Sequence, residues 1–373
     1  MAPETASAWL RLIRAEALGN AAALRLVGHF GSAQAAVDAN PAAWLRAGVE
    51  RGSPPPGADD PQVQADLAWL AGAGNRHLVH WNHPAYPERL RGIVNPPLAL
   101  FVVGDPGLLA QPQLAIVGSR AATPQGLDNA RAFAAELARR GLIVTSGLAL
   151  GIDGAAHQGA LDGGGATLAI CGTGLDRVYP ARHKALAHAL VERGGALVSE
   201  LAPGAGARRE HFPRRNRIIA GLSLGVLVVE ASRESGSLIT ARLAAEQGRE
   251  VFAIPGSIHN PLTKGCHRLI REGAKLVESV DDVLLELAPQ LTAWLHSQPT
   301  SPPPGERPAT SEPAGLDAQS ARLLSLLSDA PVGIDDLVAA SGLPVELVNI
   351  LLTQLELLGR VAGHAGGYQR REV

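Results

Sequence analysis

The sequence predicts an α/β protein with a doubly wound, mainly parallel sheet, preceded by a small helical domain and followed by a winged-helix domain. Two observations predict the sheet: six short apolar runs recur in the middle of the chain, and a helical stretch follows each one. With 46% apolar and 18% charged residues, the 373-residue chain can also bury a large core. The six runs are Leu114–Val117, Leu142–Thr145, Thr167–Ile170, Ala196–Val198, Gly225–Val229 and Glu250–Ile254.

Composition divides the chain into four segments. Residues 1–65 show a helical pattern of the SAM or helix-hairpin-helix type, and residues 76–295 contain the α/β body. Residues 296–314 are rich in Pro and Ser and predict a linker. Residues 315–373 predict three helices and a glycine-turned hairpin, which is the winged-helix arrangement.

The last of these helices, predicted over residues 344–358, is where a winged helix would contact DNA. It carries Glu346 and Glu356 and no Lys or Arg, which makes a poor surface for a phosphate backbone. A protein-interaction or structural role is therefore favoured for this domain, and DNA contact stays open.

Several classes of function are excluded by the sequence. The net charge of −2 argues against a uniformly basic protein, and two cysteines cannot form a disulfide framework or a four-cysteine zinc site. The scattered histidines lack metal-ligand spacing, and the sequence has no GxxxxGK[ST], GxGxxG or GxSxG motif. We therefore expect no metal, no cofactor and no membrane segment, and a cytoplasmic location.

Four of the apolar runs end in loops rich in Gly, Ser and Thr. In a doubly wound sheet, ligands bind at the carboxyl ends of the strands. Each glycine could simply form a tight turn, but recurrence at four strand ends favours a groove that holds phosphates. The helix predicted to begin near Pro124 should also offer free backbone N–H groups to an anion. The candidate residues are Gly118, Ser119, Arg120, Ser146, Gly147, Gly172, Thr173, Gly174, Ser235, Gly236, Ser237 and Thr240.

The densest charged feature is a group of five arginines within ten positions, between the fourth and fifth runs. They would repel one another without anions or carboxylates, and only Glu210 is locally available. Phosphate binding is therefore favoured, and a solvated basic face remains the alternative. Phe212, and with less support Tyr179, could stack on a base, whereas Phe133, Phe252 and Cys171 should be buried packing residues. The cluster consists of Arg208, Arg209, Arg214, Arg215 and Arg217, with Asn216 among them.

Charge is distributed unevenly along the chain. From Gly118 to Lys275 there are 20 Lys and Arg against 13 Asp and Glu, a net charge of +7, so the remainder carries −9. The body is therefore basic although the whole chain is not, which places a nucleic-acid surface on the body rather than on the tail.

Together these motifs resemble the DNA processing protein A (DprA, also called Smf) family. The likeness spans about Leu78 to Val277 and is carried by AIVGSRAATPQG, VTSGLALGIDGAAHQGAL, AICGTGLDRVYP, SELAPG, FPRRNRIIAGLS and VVEASRESGSLITARLAAEQGREVFAIPGS, followed by GCHRLIREGAKLV. The resemblance implies an extended Rossmann-like body that binds single-stranded DNA and protects it during natural transformation. It further implies help in loading the RecA recombinase, a homodimer, and no catalytic activity.

The resemblance also assigns particular residues. Gly118 to Arg120 match the family's GSR loop, residues 214–217 its FPxRNR segment, and Ser235 to Ser237 its SGSLxTA segment. Where many members have Gly, Thr or Ser, then Asn, this chain has Gly265, Cys266 and His267. A polar contact from that loop is therefore in doubt, although Lys264 precedes it and stays a candidate contact.

Two rival hypotheses come from other classes of protein. A nucleotide-binding enzyme of the phosphoribohydrolase type uses a PGGxGTxxE loop, but the corresponding stretch here is ESGSLITA. Glu230 or Glu246 would have to replace the missing glutamate. The second rival is a winged-helix transcription regulator whose body senses a nucleotide.

Overall fold

The computed structural model describes residues 3–15, 17–49, 54–297, 318–327, 331–343, 345, 348, 351–352, 355, 360–364 and 367–370. The chain separates into two compact units, Met1–Gln298 and Pro299–Val373. The first contains the predicted N-terminal and α/β segments.

Five helices form the N-terminal part of the first unit. Their apolar faces bury Trp9, Leu10 and Leu12 almost completely, as the apolar periodicity of this segment predicts. The indole N–H of Trp44 donates to the Ala36 oxygen at 2.9 Å, so this buried polar group is satisfied. The helices are α1 (Pro3–Arg14), α2 (Asn20–Phe30), α3 (Ala33–Asp38), α4 (Pro41–Arg46) and α5 (Pro61–Ala71).

A nine-stranded sheet forms the centre of the α/β body. Its strands are β1 (Arg76–His80), β2 (Ala99–Gly104), β3 (Gln113–Val117), β4 (Ile143–Ser146), β5 (Thr167–Ile170), β6 (Ala196–Ser199), β7 (Gly225–Val228), β8 (Glu250–Ala253) and β9 (Lys275–Leu276). The order is β1-β2-β6-β5-β4-β3-β7-β8-β9. Strands β3 to β9 are mutually parallel, while β2 pairs antiparallel with β6 and with β1.

The order of the strands defines where a ligand should bind. From β3 the chain winds outward through β4, β5 and β6, and it then returns to the other side of β3 with β7. The point between β3 and β7 is therefore the topological switch point, where the loops leave in opposite directions and open a crevice. The predicted doubly wound, mainly parallel sheet is confirmed.

Helices cover both faces of this sheet. One core holds Phe133 and Phe252, and the core on the other face holds Ile218 and Ile219. The burial predicted for Phe133 and Phe252 is thus confirmed. The helices are α6 (Glu88–Arg91), α7 (Pro124–Arg139), α8 (Ile152–Asp162), α9 (Lys184–Glu192), α10 (His211–Leu222), α11 (Ser237–Glu246), α12 (Lys264–Arg271) and α13 (Val280–Ser297).

Polar contacts tie the N-terminal helices to the α/β body. The amide of Asn20 donates to the carboxylate of Glu200 at 2.7 Å, and Arg14 donates to the backbone oxygen of Pro203 at 3.1 Å. Both acceptors belong to the segment between β6 and α10. The N-terminal part therefore supports the loop that leads into the arginine cluster.

The second unit contains α14 (Ala318–Ser325), α15 (Ile334–Ser341) and a hairpin of β10 (Val361–His364) and β11 (Gly367–Arg370). Leu323, Leu337 and Leu352 are among its buried residues. Parts of the predicted third helix, including Glu346 and Glu356, and nearly all of the predicted linker lie outside the described residues. Within the described part of the chain, no helix has the length and apolarity needed to cross a membrane.

Candidate functional site

A cleft of about 600 Å³ lies at the switch point between β3 and β7. Loops that follow five parallel strands, β3 to β7, contribute to it, as does the first half of α10. Twelve of the predicted residues line this cleft: Gly118, Ser119, Arg120, Tyr179, Arg209, Phe212, Arg215, Asn216, Ser235, Gly236, Ser237 and Thr240. The loops that the sequence singled out therefore meet at one edge of the sheet.

A cation and two aromatic rings meet at this cleft. The guanidinium carbon of the exposed Arg120 lies 5.5 Å from the ring centroid of Phe212, within the range of a cation–π contact. The ring of Tyr179, which is 49% exposed, is 5.5 Å from that of Phe212. The cleft thus offers a positive charge beside flat apolar surfaces, which suits a phosphate next to a base.

The loop after β3 is held by close approaches of the backbone. The Ser119 N–H donates to the backbone oxygen of Glu230 at 2.7 Å, which links the ends of β3 and β7. A Cβ atom on Gly118 would lie 2.6 Å from the side chain of Ile152, so only glycine fits there. Gly151 has a φ of +77°, and a side chain on it would overlap the Ser119 oxygen. The loop is therefore rigidly placed, which leaves the Arg120 side chain as its exposed group.

The prediction that the start of α7 offers free N–H groups to an anion is wrong. The carboxylate of Glu230 accepts from the Thr123 N–H at 2.9 Å and from the Thr123 hydroxyl at 2.6 Å. The Gly126 N–H donates in turn to the Thr123 hydroxyl oxygen. A buried glutamate from the end of β7 thus already supplies the negative charge that this helix N-terminus favours.

The loop after β4 supports the cleft from beneath. The Ser146 hydroxyl is buried and donates to the Ile116 oxygen at 2.6 Å. The Gly147 N–H donates to Asp153 at 3.1 Å, and the guanidinium group of Arg215 covers the glycine so closely that no Cβ atom would fit. Neither Ser146 nor Gly147 lines the cleft, so both hold other groups in place.

The loop after β5 is buried in the same way. A Cβ atom on Gly172 would lie 2.9 Å from the Phe212 ring, so only a glycine at this position lets the ring pack against the loop. Thr173 is buried, and its backbone oxygen accepts from the Ser199 hydroxyl at 2.7 Å. The Gly174 N–H donates to the Ala205 oxygen. Gly172 thus lies behind Phe212, and none of these three predicted contacts lines the cleft.

The arginines of α10 divide into exposed and buried side chains. Arg215 is only 6% exposed and donates from Nη1 to the backbone oxygens of Gly147 and Ile170. Arg217 is also buried and pairs with Glu200, which accepts from Arg214 at 3.0 Å as well. About half of the Arg214 side chain remains exposed. Arg215 therefore joins the ends of two strands, and Arg214 and Arg217 bind a carboxylate that is distant in sequence. Of these three side chains, only Arg214 faces solvent.

Asn216 and the loop after β7 complete the cleft. The amide of Asn216 approaches the Gly236 oxygen at 3.5 Å, and the hydroxyls of Ser235 and Ser237 lie 2.7 Å apart. Thr240 is buried one turn further along α11. Lys264 begins α12 and does not line the cleft, in keeping with the doubt about its loop.

Sequence reasoning missed two acidic residues that organise the site. Glu200 neutralises arginines 14 and 17 positions later, a spacing for which no local pattern exists. Asp153 lies in the first turn of α8 and lines the cleft. Burial raises the pKa of Asp153, while Arg215 and two backbone amides act in the opposite direction. Asp153 belongs to VTSGLALGIDGAAHQGAL, one of the segments that carry the family resemblance, but nothing in its spacing shows where the carboxylate points.

Neither cysteine has the environment of a nucleophile. Both are buried, and burial raises the pKa of Cys171 to about 11 and that of Cys266 to about 12. The packing role predicted for Cys171 is confirmed. Among the described residues, no group of three or more His, Cys, Asp or Glu side chains is arranged to hold a metal ion.

This geometry defines a class of protein: a Rossmann-like protein with a candidate ligand cleft at the switch point, lined by exposed arginine and aromatic side chains. Three family models match the chain. They are DNA recombination-mediator protein A over residues 77–288, the DprA winged helix domain over residues 307–367, and the DprA-like N-terminal HHH domain over residues 3–65. The chain therefore belongs to the DprA family.

Individual relatives agree with this assignment. Protein Smf of Escherichia coli (strain K12) is 44% identical over 308 residues, which cover 83% of this chain and 80% of that protein. The X-ray structure of DprA from Streptococcus pneumoniae is 39% identical with a TM-score of 0.62, covering 74% of this chain and 96% of that one. The structure of DprA from Helicobacter pylori, described as showing a unique single-stranded DNA binding mode, is 29% identical with a TM-score of 0.50. It covers 55% of this chain and 93% of that one.

Proposed function

We propose that this protein binds single-stranded DNA in the cleft between β3 and β7. The observation that carries the proposal is the placement of the exposed Arg120 beside the rings of Phe212 and Tyr179 at the switch point. A single strand presents phosphates and unstacked bases together, and this combination of side chains matches both. The binding mode reported for H. pylori DprA supports the same class of ligand.

The exposed arginines would take the phosphates. Arg120 and Arg209 line the cleft with their side chains exposed, and Arg214 is half exposed nearby. The buried Arg215 and Arg217 act as positioning residues, because Arg215 Nη1 donates to two backbone oxygens and Arg217 pairs with Glu200. Affinity should therefore depend strongly on salt and more weakly on base sequence.

We propose that the protein acts by binding and not by catalysis. In the rival phosphoribohydrolase hypothesis, Glu230 or Glu246 would be the catalytic group. Both carboxylate oxygens of Glu230 are used to cap α7, and Glu246 is exposed at the far end of α11. Neither is placed to attack or protonate a ligand in the cleft.

The biological role that accompanies this binding follows from membership of the family. We propose that the protein protects single-stranded DNA during natural transformation, helps load RecA onto it, and works as a homodimer in the cytoplasm. The basic body would hold the strand, and the winged-helix unit would serve protein contact or structure.

Alanine variants of two cleft residues test the binding proposal. Arg120→Ala should lower the affinity for a single-stranded oligonucleotide and reduce the slope of log affinity against log salt by about one. Phe212→Ala should weaken binding by about 1–3 kcal/mol with less effect on the salt slope. Arg193→Ala is the matched control, because Arg193 is exposed just before β6, at the opposite edge of the sheet. Unchanged affinity and salt slope in both cleft variants would refute the site.

A further inference from the structure

The floor of the cleft contains a carboxylate, which is unexpected in a phosphate-binding site. Asp153 is the acidic residue among the described residues that line this cleft, and it is only 6% exposed. A phosphate placed against it would meet a negative charge. The floor must therefore suit another part of the ligand.

The two oxygens of Asp153 have different surroundings. Oδ2 accepts from the backbone N–H groups of Gly147 at 3.1 Å and Ala149 at 3.3 Å. Within the described part of the chain, no group donates a hydrogen bond to Oδ1. This oxygen is also not fully enclosed by protein atoms, so part of its surface stays accessible. A largely buried carboxylate oxygen that still reaches the cleft should gain free energy from a donor on the ligand.

A donor lies on the same floor. Arg215 uses Nη1 for two backbone oxygens, and its Nε is enclosed without a partner. Its Nη2 has no acceptor among the described residues and is not enclosed, so it too keeps contact with the cleft. Both residues line the cleft, so it offers an acceptor and a donor; the edge of a nucleobase carries both kinds of group, whereas phosphate carries acceptors alone.

We infer that Asp153 Oδ1 accepts a hydrogen bond from the exocyclic amino group of a base in the bound strand. This inference rests on the proposed function. Base edges then face the floor of the cleft, and phosphates face the exposed arginines. Cytosine is preferred over uracil, because uracil presents a carbonyl oxygen where cytosine presents an N4 amino group.

Oligonucleotides that differ at this one group test the inference on the unmodified protein. The full chain is titrated with oligo-dC and oligo-dU of equal length, and binding is followed by fluorescence anisotropy. We expect oligo-dC to bind about fivefold or more tightly. Oligomers of N4,N4-dimethylcytosine lack the amino hydrogens and should lose this advantage.

Asp153→Asn tests the same contact from the protein. The asparagine oxygen can still accept from the Gly147 and Ala149 amides, and its NH₂ group then replaces Oδ1 in the cleft. The preference for oligo-dC should disappear or reverse. Asp162→Asn is the matched control, because Asp162 is exposed in the last turn of the same helix and should leave the preference unchanged.

The possible outcomes distinguish failure of the Asp153 contact from failure of single-strand binding itself. Equal affinity of the unmodified protein for oligo-dC and oligo-dU would overturn the inference and leave single-strand binding intact. An equal loss for both oligomers in Asp153→Asn would show a purely structural role and would also overturn it. Failure of the unmodified protein to bind any single strand would refute the proposed function itself.

Discussion

Arg215 donates a hydrogen bond from Nη1 to the backbone oxygen of Gly147 at 2.6 Å, across 68 positions of sequence. The same nitrogen also donates to Ile170, so one side chain joins the carboxyl ends of β4 and β5. An arginine in a cluster that resembles a phosphate-binding segment thus has an internal structural role. Its loss should therefore alter DNA binding through the shape of the cleft as well as through the donor that Nη2 presents there.

Arg215→Met should lower both stability and affinity. Methionine retains much of the buried volume but leaves the Gly147 and Ile170 oxygens without this donor, which should cost about 3 kcal/mol. Thermal unfolding followed by circular dichroism should show a midpoint lower by several degrees. Arg120→Ala is the matched comparison, because its exposed side chain should affect affinity and leave the midpoint unchanged. An unchanged midpoint for Arg215→Met would contradict the structural role.

Glu200→Gln should destabilise the protein through an unpaired buried charge. Glu200 pairs with the buried Arg217 and also accepts from Asn20 and Arg214. Removing one partner of a buried ion pair costs about 3–5 kcal/mol, because the other charge stays buried. Glu192→Gln, on the exposed end of α9, is the control, and a chemical denaturation series compares the two. Equal midpoints would show that Glu200 is not needed to hold α10.

Gly151 and Gly236 should respond differently to replacement by alanine. Gly151 has a φ of +77° and no room for a side chain, so Gly151→Ala should lower both the unfolding midpoint and the affinity for DNA. Gly236 has a helical φ of −60° and open space around it, so Gly236→Ala should keep its stability. Thermal unfolding of the pair measures this difference, and similar losses in both would argue against the loop geometry.

Stability should fall in mild acid because of His80. Its ring stacks on Trp9 at 4.8 Å, and burial, together with His83, lowers the pKa of His80 from 6.5 to about 4. Between these values the unfolded chain binds a proton that the folded chain does not. Stability is therefore lost as the pH falls from about 6.5 towards 4, by up to about 3 kcal/mol.

His80→Phe keeps an aromatic ring against Trp9 and removes this titration. The difference in unfolding midpoint between the variant and the unmodified chain should therefore shift in favour of the variant as the pH drops. Other buried titratable groups, including His157 and Asp66, are the same in both proteins and cancel in the comparison. Parallel midpoint curves would contradict the assignment to His80.

The sequence predicted the repeating elements of the body well, because each depends on local patterns. Apolar runs such as Leu114–Val117 and the helix start at Pro124 fall where expected. The strand order did not follow from these patterns, because β1 and β2 reach the sheet edge by antiparallel pairing that no local periodicity encodes.

The candidate site was predicted in part for the same reason. The composition of the loops placed Arg120, Ser235 and Phe212 at the cleft. The direction of Arg215 and Arg217 depends on Gly147, Ile170 and Glu200, which lie 68, 45 and 17 positions away. The charge of a residue can be read from the sequence, but its partner depends on the order of the strands.

A gel shift with matched oligonucleotides shows whether the cleft on the α/β body holds single-stranded DNA. The full chain and a chain ending at Gly315 are compared on a single strand and on a duplex of the same sequence, each with and without the combined changes Arg120→Ala and Phe212→Ala. The proposed site predicts preferential binding of the single strand by both lengths of chain, and loss of that binding in both altered proteins. Single-strand binding that survives the two changes, or that disappears with the residues after Gly315, would contradict it.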